Sequence, residues 1–114
     1  MATTPLLQAL EGFLTVADDR QRLVVTNMAN ADTPGYHTRD LDFQSAMRLV
    51  MNSQGGAQVE PATLELTDLP ARPDGNNVNV DRESMMLAQI QLQYQMGVQL
   101  IEEQFHEMLT AIKE

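Results

Sequence analysis

The side chains that could do chemistry in this chain are few and poorly spaced for it. His37 and His106 are the only candidate imidazole bases or ligands, and they stand far apart on different elements. Each reads as a solvated or core-edge histidine. Asp74-Gly75-Asn76-Asn77-Val78-Asn79 opens like a calcium loop. It then puts Val78 where the fifth position needs an oxygen ligand, Asn79 where the sixth needs glycine, and Met85 where the twelfth needs glutamate. Glu102, Glu103 and Glu107 form an acidic patch whose ordinary reading is a solvated face. Met85, Met86, Met96 and Met108 suit packing better than metal binding. The absence of Cys removes disulfides, thiolate metal sites and a Cys nucleophile together. No phosphate loop, G-x-S-x-G elbow or histidine–metal spacing occurs. The expectation is a protein that is not an enzyme, with no metal and no cofactor.

Composition narrows the class further. A chain of 114 residues is one domain's worth, and 43% hydrophobic residues are enough for a core. Two Tyr, three Phe and no Trp, set against eight Met and eleven Gln, favour long packed helices over a sandwich or barrel. A formal charge of -9 excludes a binder that works by neutralising nucleic-acid phosphates, and disfavours anionic membrane surfaces. Residues 84–101 carry no charge, but Gln89, Gln91, Gln93, Gln95 and Gln99 would each bring an unpaired amide into hydrocarbon, so direct membrane insertion is not expected. The N-terminal segment, with no Lys or Arg before Arg20, does not read as a cleaved secretory signal.

The elements that must position these residues are mainly α. The first helix is expected over residues 5–31, with Thr4 as N-cap and Pro5 at the first helical position. Leu6, Leu10, Phe13, Ala17, Val24 and Met28 form its stripe, widened by Leu7 and Leu14. Thr33, preceding Pro34, is pushed out of the α region, and Pro34-Gly35 suits a type II turn with positive φ at the glycine. Leu41–Met51 reads as a short helix with Phe43, Met47 and Val50 on one face. Residues 52–77, with Gly55, Gly56 and Pro61 among their breakers, read as loop, with Thr63–Thr67 as a candidate strand. The last helix is expected over 81–113, capped by Asp81, with Val80 stapled to Met85. The whole chain, 1–114, is thus one domain: two long terminal helices pairing as a coiled-coil-like hairpin, and a short turn-and-loop middle over 32–80.

The last helix carries two apolar rows. Leu87, Ile90, Tyr94, Val98, Ile101, Phe105, Met108 and Ile112 recur every three or four residues, the pattern of a packing seam. The intrachain seam is therefore assigned to Leu10, Phe13, Ala17 and Val24 of the first helix against Leu87, Ile90, Tyr94, Val98, Ile101 and Phe105. Met85, Leu92, Met96 and Leu100 form a second row nearly opposite, at about 100° per residue. A two-helix hairpin can bury only one of these, so the second row is assigned to contacts between subunits. The competing assignment has the short middle helix covering it.

Asn27-Met28-Ala29-Asn30-Ala31-Asp32-Thr33-Pro34-Gly35-Tyr36, at the end of an amphipathic N-terminal helix, resembles the N-terminal signature of bacterial flagellar rod and hook proteins. The run Arg72-Pro73-Asp74-Gly75-Asn76-Asn77-Val78-Asn79-Val80-Asp81-Arg82-Glu83 resembles the D-G-N-x-V-x-x-D-x-E stretch of the proximal rod member, and Tyr94-Gln95-Met96-Gly97 is also similar to that member. The positions that carry the resemblance are Asn27, Ala29, Asn30, Thr33, Pro34, Gly35, Tyr36, Asp74, Gly75, Asn76, Val78, Asp81 and Glu83. It covers residues 5 to 112 and implies a structural subunit of the basal-body rod, polymerising through its terminal helices and helping to transmit torque across the periplasm. It further implies export through the flagellar type III apparatus without a cleaved signal. The implied partners are other copies of the chain, other rod proteins, and the adaptor and membrane-ring proteins of the basal body. Two rivals remain: a small acidic helical type III secretion chaperone, and a different rod or hook-family axial protein.

Overall fold

The computed structural model describes residues 4–52 and 63–113; the loop assignment of Gly55, Gly56 and Pro61 lies outside them. In chain order the elements are α1 (Pro5–Ala29), β1 (Arg39–Leu41), α2 (Phe43–Asn52), β2 (Thr63–Glu65) and α3 (Val80–Lys113). The architecture is mainly helical, with long terminal helices and a small sheet between them. It extends over 66 × 25 × 17 Å.

α1 starts where Thr4 Oγ1 accepts the Leu7 N–H at 3.1 Å and Pro5 needs no partner of its own. It stops at Ala29, two residues short of expectation. The Asn30 N–H still reaches Thr26 and Asn27 carbonyls, while the Asn30 side chain donates to the Thr26 carbonyl at 2.8 Å and closes the last turn. α1 buries two faces rather than one. Ala17 and Val24 pack against Ile90 of α3, with Met28, Met86 and Leu87 around them. Val16, which lies off the expected stripe, packs with Leu41 and Ala46, flanked by Leu23, Phe43, Met47 and Val50. Leu6 was placed on the stripe but is 51% exposed, and Leu7 beside it is the buried residue. The middle segment, folding back over α1, is what buries Val16.

That middle segment differs from its expected form in two ways. Leu41 belongs to β1 rather than to the short helix, because Asp42 caps α2 with hydrogen bonds from the Ser45 N–H and hydroxyl. β1 and β2 then pair antiparallel with Arg39 opposite Glu65, Asp40 opposite Leu64 and Leu41 opposite Thr63. β2 ends two residues before Thr67, and all three of its residues are exposed. A two-stranded ribbon is marginal alone; here Arg20 of α1 grips Asp40 with two bonds at 3.0 and 3.1 Å, fastening β1 to the helix.

α3 is capped two residues earlier than expected. Asn79, not Asp81, accepts the Arg82 N–H at 3.1 Å, and the Asn79 carbonyl receives Glu83 N–H. Val80 and Met85 are 46% and 65% exposed, so the expected staple between them is not made. α3 runs antiparallel to α1, with Glu83 beside Asn27 and Gly97 beside Phe13 and Leu14. Gly97 is buried and Val98 only half-buried, while Tyr94 and Phe105 of the assigned seam are 38% and 44% exposed. A Cβ on Gly97 would stand 2.8 Å from Leu14 Cδ2 and 3.2 Å from the Phe13 ring, so the glycine sets how closely the two helices approach. α2 approaches α1 in the same manner at Gly12, where an added Cβ would collide with Val50 Cγ1.

Gly12→Ala sets about 1 kcal/mol of better helix propensity against about 1–3 kcal/mol of overpacking. Val50 is β-branched and cannot swing its Cγ1 aside cheaply. The expected result is a lower urea midpoint with early loss of amide protection in residues 43–52. A midpoint equal to or above the parent's would show that α2 tolerates the displacement.

Candidate functional site

The turn end of the hairpin is held by polar groups. Pro34 and Gly35 make the expected turn: Gly35 has φ +76° and the Tyr36 N–H returns to the Thr33 carbonyl. Gly75 has φ +88°, and a Cβ placed on it would sit 3.4 Å from Gly35 Cα. The two glycines thus lie against each other, and the Gly35 N–H donates to the Asp74 carbonyl at 2.9 Å. The turn after α1 and the loop before α3 dock backbone to backbone.

Asparagines close the junction around them. Asn76 is fully buried; its amide donates to the Asn30 and Thr33 carbonyls, both at 2.8 Å, and its oxygen accepts the Val78 N–H. Asn27 uses its whole amide. It donates to the Arg39 carbonyl and Glu83 Oε2, and accepts from the Tyr36 hydroxyl and the Arg39 N–H. Glu83, one of the positions that carry the resemblance, is fully buried, with its other oxygen 2.9 Å from Arg82. Burial of a carboxylate is tolerable when its charge is paired and its oxygens are bonded, as both are here.

Three members of this junction are not among the site residues singled out in sequence, although Arg72 and Asn77 stand within the quoted run. Thr38 is fully buried, its N–H donating to Asn77 Oδ1 at 2.6 Å and its hydroxyl to the Asn77 carbonyl. Asn77 spends its amide N–H on the Leu66 carbonyl. Arg72 reaches the Ala31 carbonyl at 2.6 Å and Asp74 at 3.3 Å. A run of adjacent asparagines in a loop was the available signal. Of the residues singled out in sequence, Asn27, Asn30, Thr33, Gly35, Tyr36, Asp74, Gly75, Asn76, Val78 and Glu83 meet here. Ala29, Pro34 and Asp81 lie at the exposed edge. No buried side-chain polar atom is left without a partner among the described residues.

Two titrations report on the junction. The backbone N–H of Asn76, and after it the Arg72 guanidinium, hold the Asp74 carboxyl below the ordinary aspartate range. Burial pushes the Tyr36 phenol up, opposed by Arg39 and reinforced by Glu83 and Glu65. Nothing in this set resembles a reacting centre, and among the described residues no group of three or more His, Cys, Asp or Glu could hold a metal ion.

The second candidate surface is apolar. Met85, Leu92, Met96 and Leu100 are 65, 58, 55 and 47% exposed. α2 packs on α1 and leaves this row open, touching its edge only through a groove of about 320 Å³ that Met47 shares with Leu10, Phe13, Met96, Gly97 and Leu100. No helix among the described residues is long and apolar enough to cross a membrane.

The chain is similar to curated proteins over most of its length. The flagellar basal body rod protein FlgB of Salmonella typhimurium is 34% identical over 120 positions, taking in 88% of this chain and 87% of that protein. FlgB of Escherichia coli gives the same identity and coverage. FlgB of Bacillus subtilis is 28% identical over 93% of this chain and 92% of its own. No protein-family model matches.

Asn76→Ala removes two bonds to the Asn30 and Thr33 carbonyls, each of which keeps a turn N–H, and takes its acceptor from the Val78 N–H, at about 1–3 kcal/mol for a group left unpaired. Urea unfolding should show this loss, whereas a change under about 0.5 kcal/mol, typical of an exposed site, would remove Asn76 from the clasp. Asp74 has a depressed carboxyl pKa in the folded chain, so its contribution is present above the ordinary aspartate value and lost as pH falls through the folded one. Amide exchange of Gly35 should therefore accelerate below about pH 4. In Asp74→Asn that particular acid step should be absent.

Proposed function

The chain belongs to the FlgB family of flagellar basal body rod proteins and is a structural protein of that rod; on that premise we propose that it polymerises through its terminal helices and carries torque as part of the shaft. In this reading it has no catalytic role. The polar clasp holds α1 and α3 in register within one subunit, and the open row of α3 meets neighbouring subunits. It leaves the cell through the flagellar type III apparatus without a cleaved signal and is built into the periplasmic rod. Its neighbours there are further copies, other rod proteins, and the adaptor and membrane-ring proteins.

The observation that carries this reading is the exposure of Met85, Leu92, Met96 and Leu100 on a helix whose other side is occupied by α1. Contiguous apolar surface of this kind marks a protein contact in a water-soluble chain. Charge is sparse on the same row, where burial of an unpaired charge would be costly.

The test compares Met96→Glu with Ile101→Glu. Ile101 is half-buried on the side of α3 that faces α1, so its glutamate should lower the yield and stability of the subunit itself. Met96→Glu should leave a soluble, exported subunit that is missing from isolated basal bodies, with motility lost. If Met96→Glu enters basal bodies and the cells swim as the parent does, the row faces solvent in the rod and the polymerisation reading fails.

A further inference from the structure

α1 and α3 are unequal in length, and the difference lies at one end. Asn27 stands beside Glu83 and Phe13 beside Gly97, so each step back along α1 matches one step forward along α3. Continued to Pro5, that register ends near Phe105. The remaining eight residues to Lys113 run on for about 12 Å beyond the start of α1. Along this end Phe105, Leu109 and Ile112 are 44, 57 and 79% exposed. Glu102, Phe105, Leu109 and Ile112 follow one another at spacings of three, four and three, a single helical stripe with its acid at the base.

The groove beside α2 has the complementary character. Its walls are Leu10, Phe13, Met47, Met96, Gly97 and Leu100, with Ala9 and Gln93 completing the lining and no charged side chain among them. Next to Met47 on α2 stands Arg48, which is exposed. Every other arginine is engaged: Arg20 with Asp40, Arg22 with Asp18, Arg72 with Asp74, Arg82 with Glu83, and Arg39 over the Tyr36 ring. Arg48 makes no ion pair among the described residues and acts on Asp42 only through space. Glu102 likewise makes none.

We propose that the C-terminal end of α3 of one copy docks in the α1–α2–α3 groove of a second copy, with Phe105, Leu109 and Ile112 as anchors and Glu102 paired to Arg48. Apolar anchors at positions i, i+4 and i+7 are how a helix seats in a groove. The two surfaces differ and belong to the same chain, so the contact is head-to-tail and repeats from copy to copy instead of closing as a symmetric pair. The proposal deepens the rod reading and rests on it, naming which surfaces meet.

The chain has no Cys, so introduced cysteines report the contact without background. Basal bodies are isolated from cells whose only copy of the chain carries Met47→Cys, Ile112→Cys or both, and are treated with copper phenanthroline as oxidant. The double variant is expected to give a ladder of crosslinked chains, and each single variant none; Met96→Cys replaces Met47→Cys should the latter fail to accumulate. In the double variant, Arg48→Glu should abolish the ladder and added Glu102→Arg should restore it. Self-crosslinking of either single variant would mean a symmetric contact and overturn the proposal. A double variant that co-purifies with basal bodies but gives no ladder also overturns it, leaving the groove to a different protein and the rod reading intact. Absence of the unaltered chain from basal bodies overturns the rod reading, and this docking with it.

Discussion

The meeting of Gly35 with Gly75 holds the two ends of the chain together. α1 and α3 are joined through some fifty residues of intervening chain, so connectivity alone does not set their register. The contact that does so is a backbone-to-backbone approach, with the Gly35 N–H on the Asp74 carbonyl and Asn76 spanning two carbonyls of the opposing turn. Both glycines adopt positive φ, which side chains with a Cβ disfavour, and a Cβ on Gly75 would rest 3.4 Å from Gly35 Cα. Asn27 then ties α1 to β1 and to α3 at a single point. Directional hydrogen bonds suit this task because they fail quickly with displacement, whereas apolar stripes can slide by a turn at little cost.

Away from the clasp the energetics change character. Among the described residues the buried polar side chains, Asn27, Thr38, Asn76, Asn77 and Glu83, all sit at the turn end. Toward the other end Leu6, Phe105, Leu109 and Ile112 are exposed. The turn end therefore has its buried polar groups satisfied within the chain, while exposed apolar surface runs along α3 from Met85 to Ile112. This division agrees with a structural role: register is settled inside each subunit, and the surface left open is the one whose burial can drive association.

The middle segment takes part in this arrangement without covering the open row. α2 and β1 use a second face of α1, with Val16 and Ala46 at its centre and Phe13 edge-on to Phe43 at 6.0 Å. The Arg20 bond pair to Asp40 and the close approach at Gly12 keep that layer on α1. Because the layer leans on α1, it forms one wall of a groove whose other wall is α3.

Much of this was legible from residue order alone. Helical spacing, Thr4-Pro5 and Thr33-Pro34-Gly35 determined two long terminal helices, where the first begins, and the positive φ at Gly35, because capping and proline sterics act within a few residues. The two apolar rows of α3 were readable for the same reason. What tertiary structure decided lies wherever two segments compete for one group. Asn79 capped α3 in place of Asp81, and Glu83 became the buried partner of Asn27, because a distant turn came to rest on that loop. Val16 was buried since the middle segment gave α1 a second neighbour. Gly97 took the place in the seam that periodicity assigned to Val98, and periodicity cannot see this, because it counts apolar side chains and not the closeness that the lack of one permits.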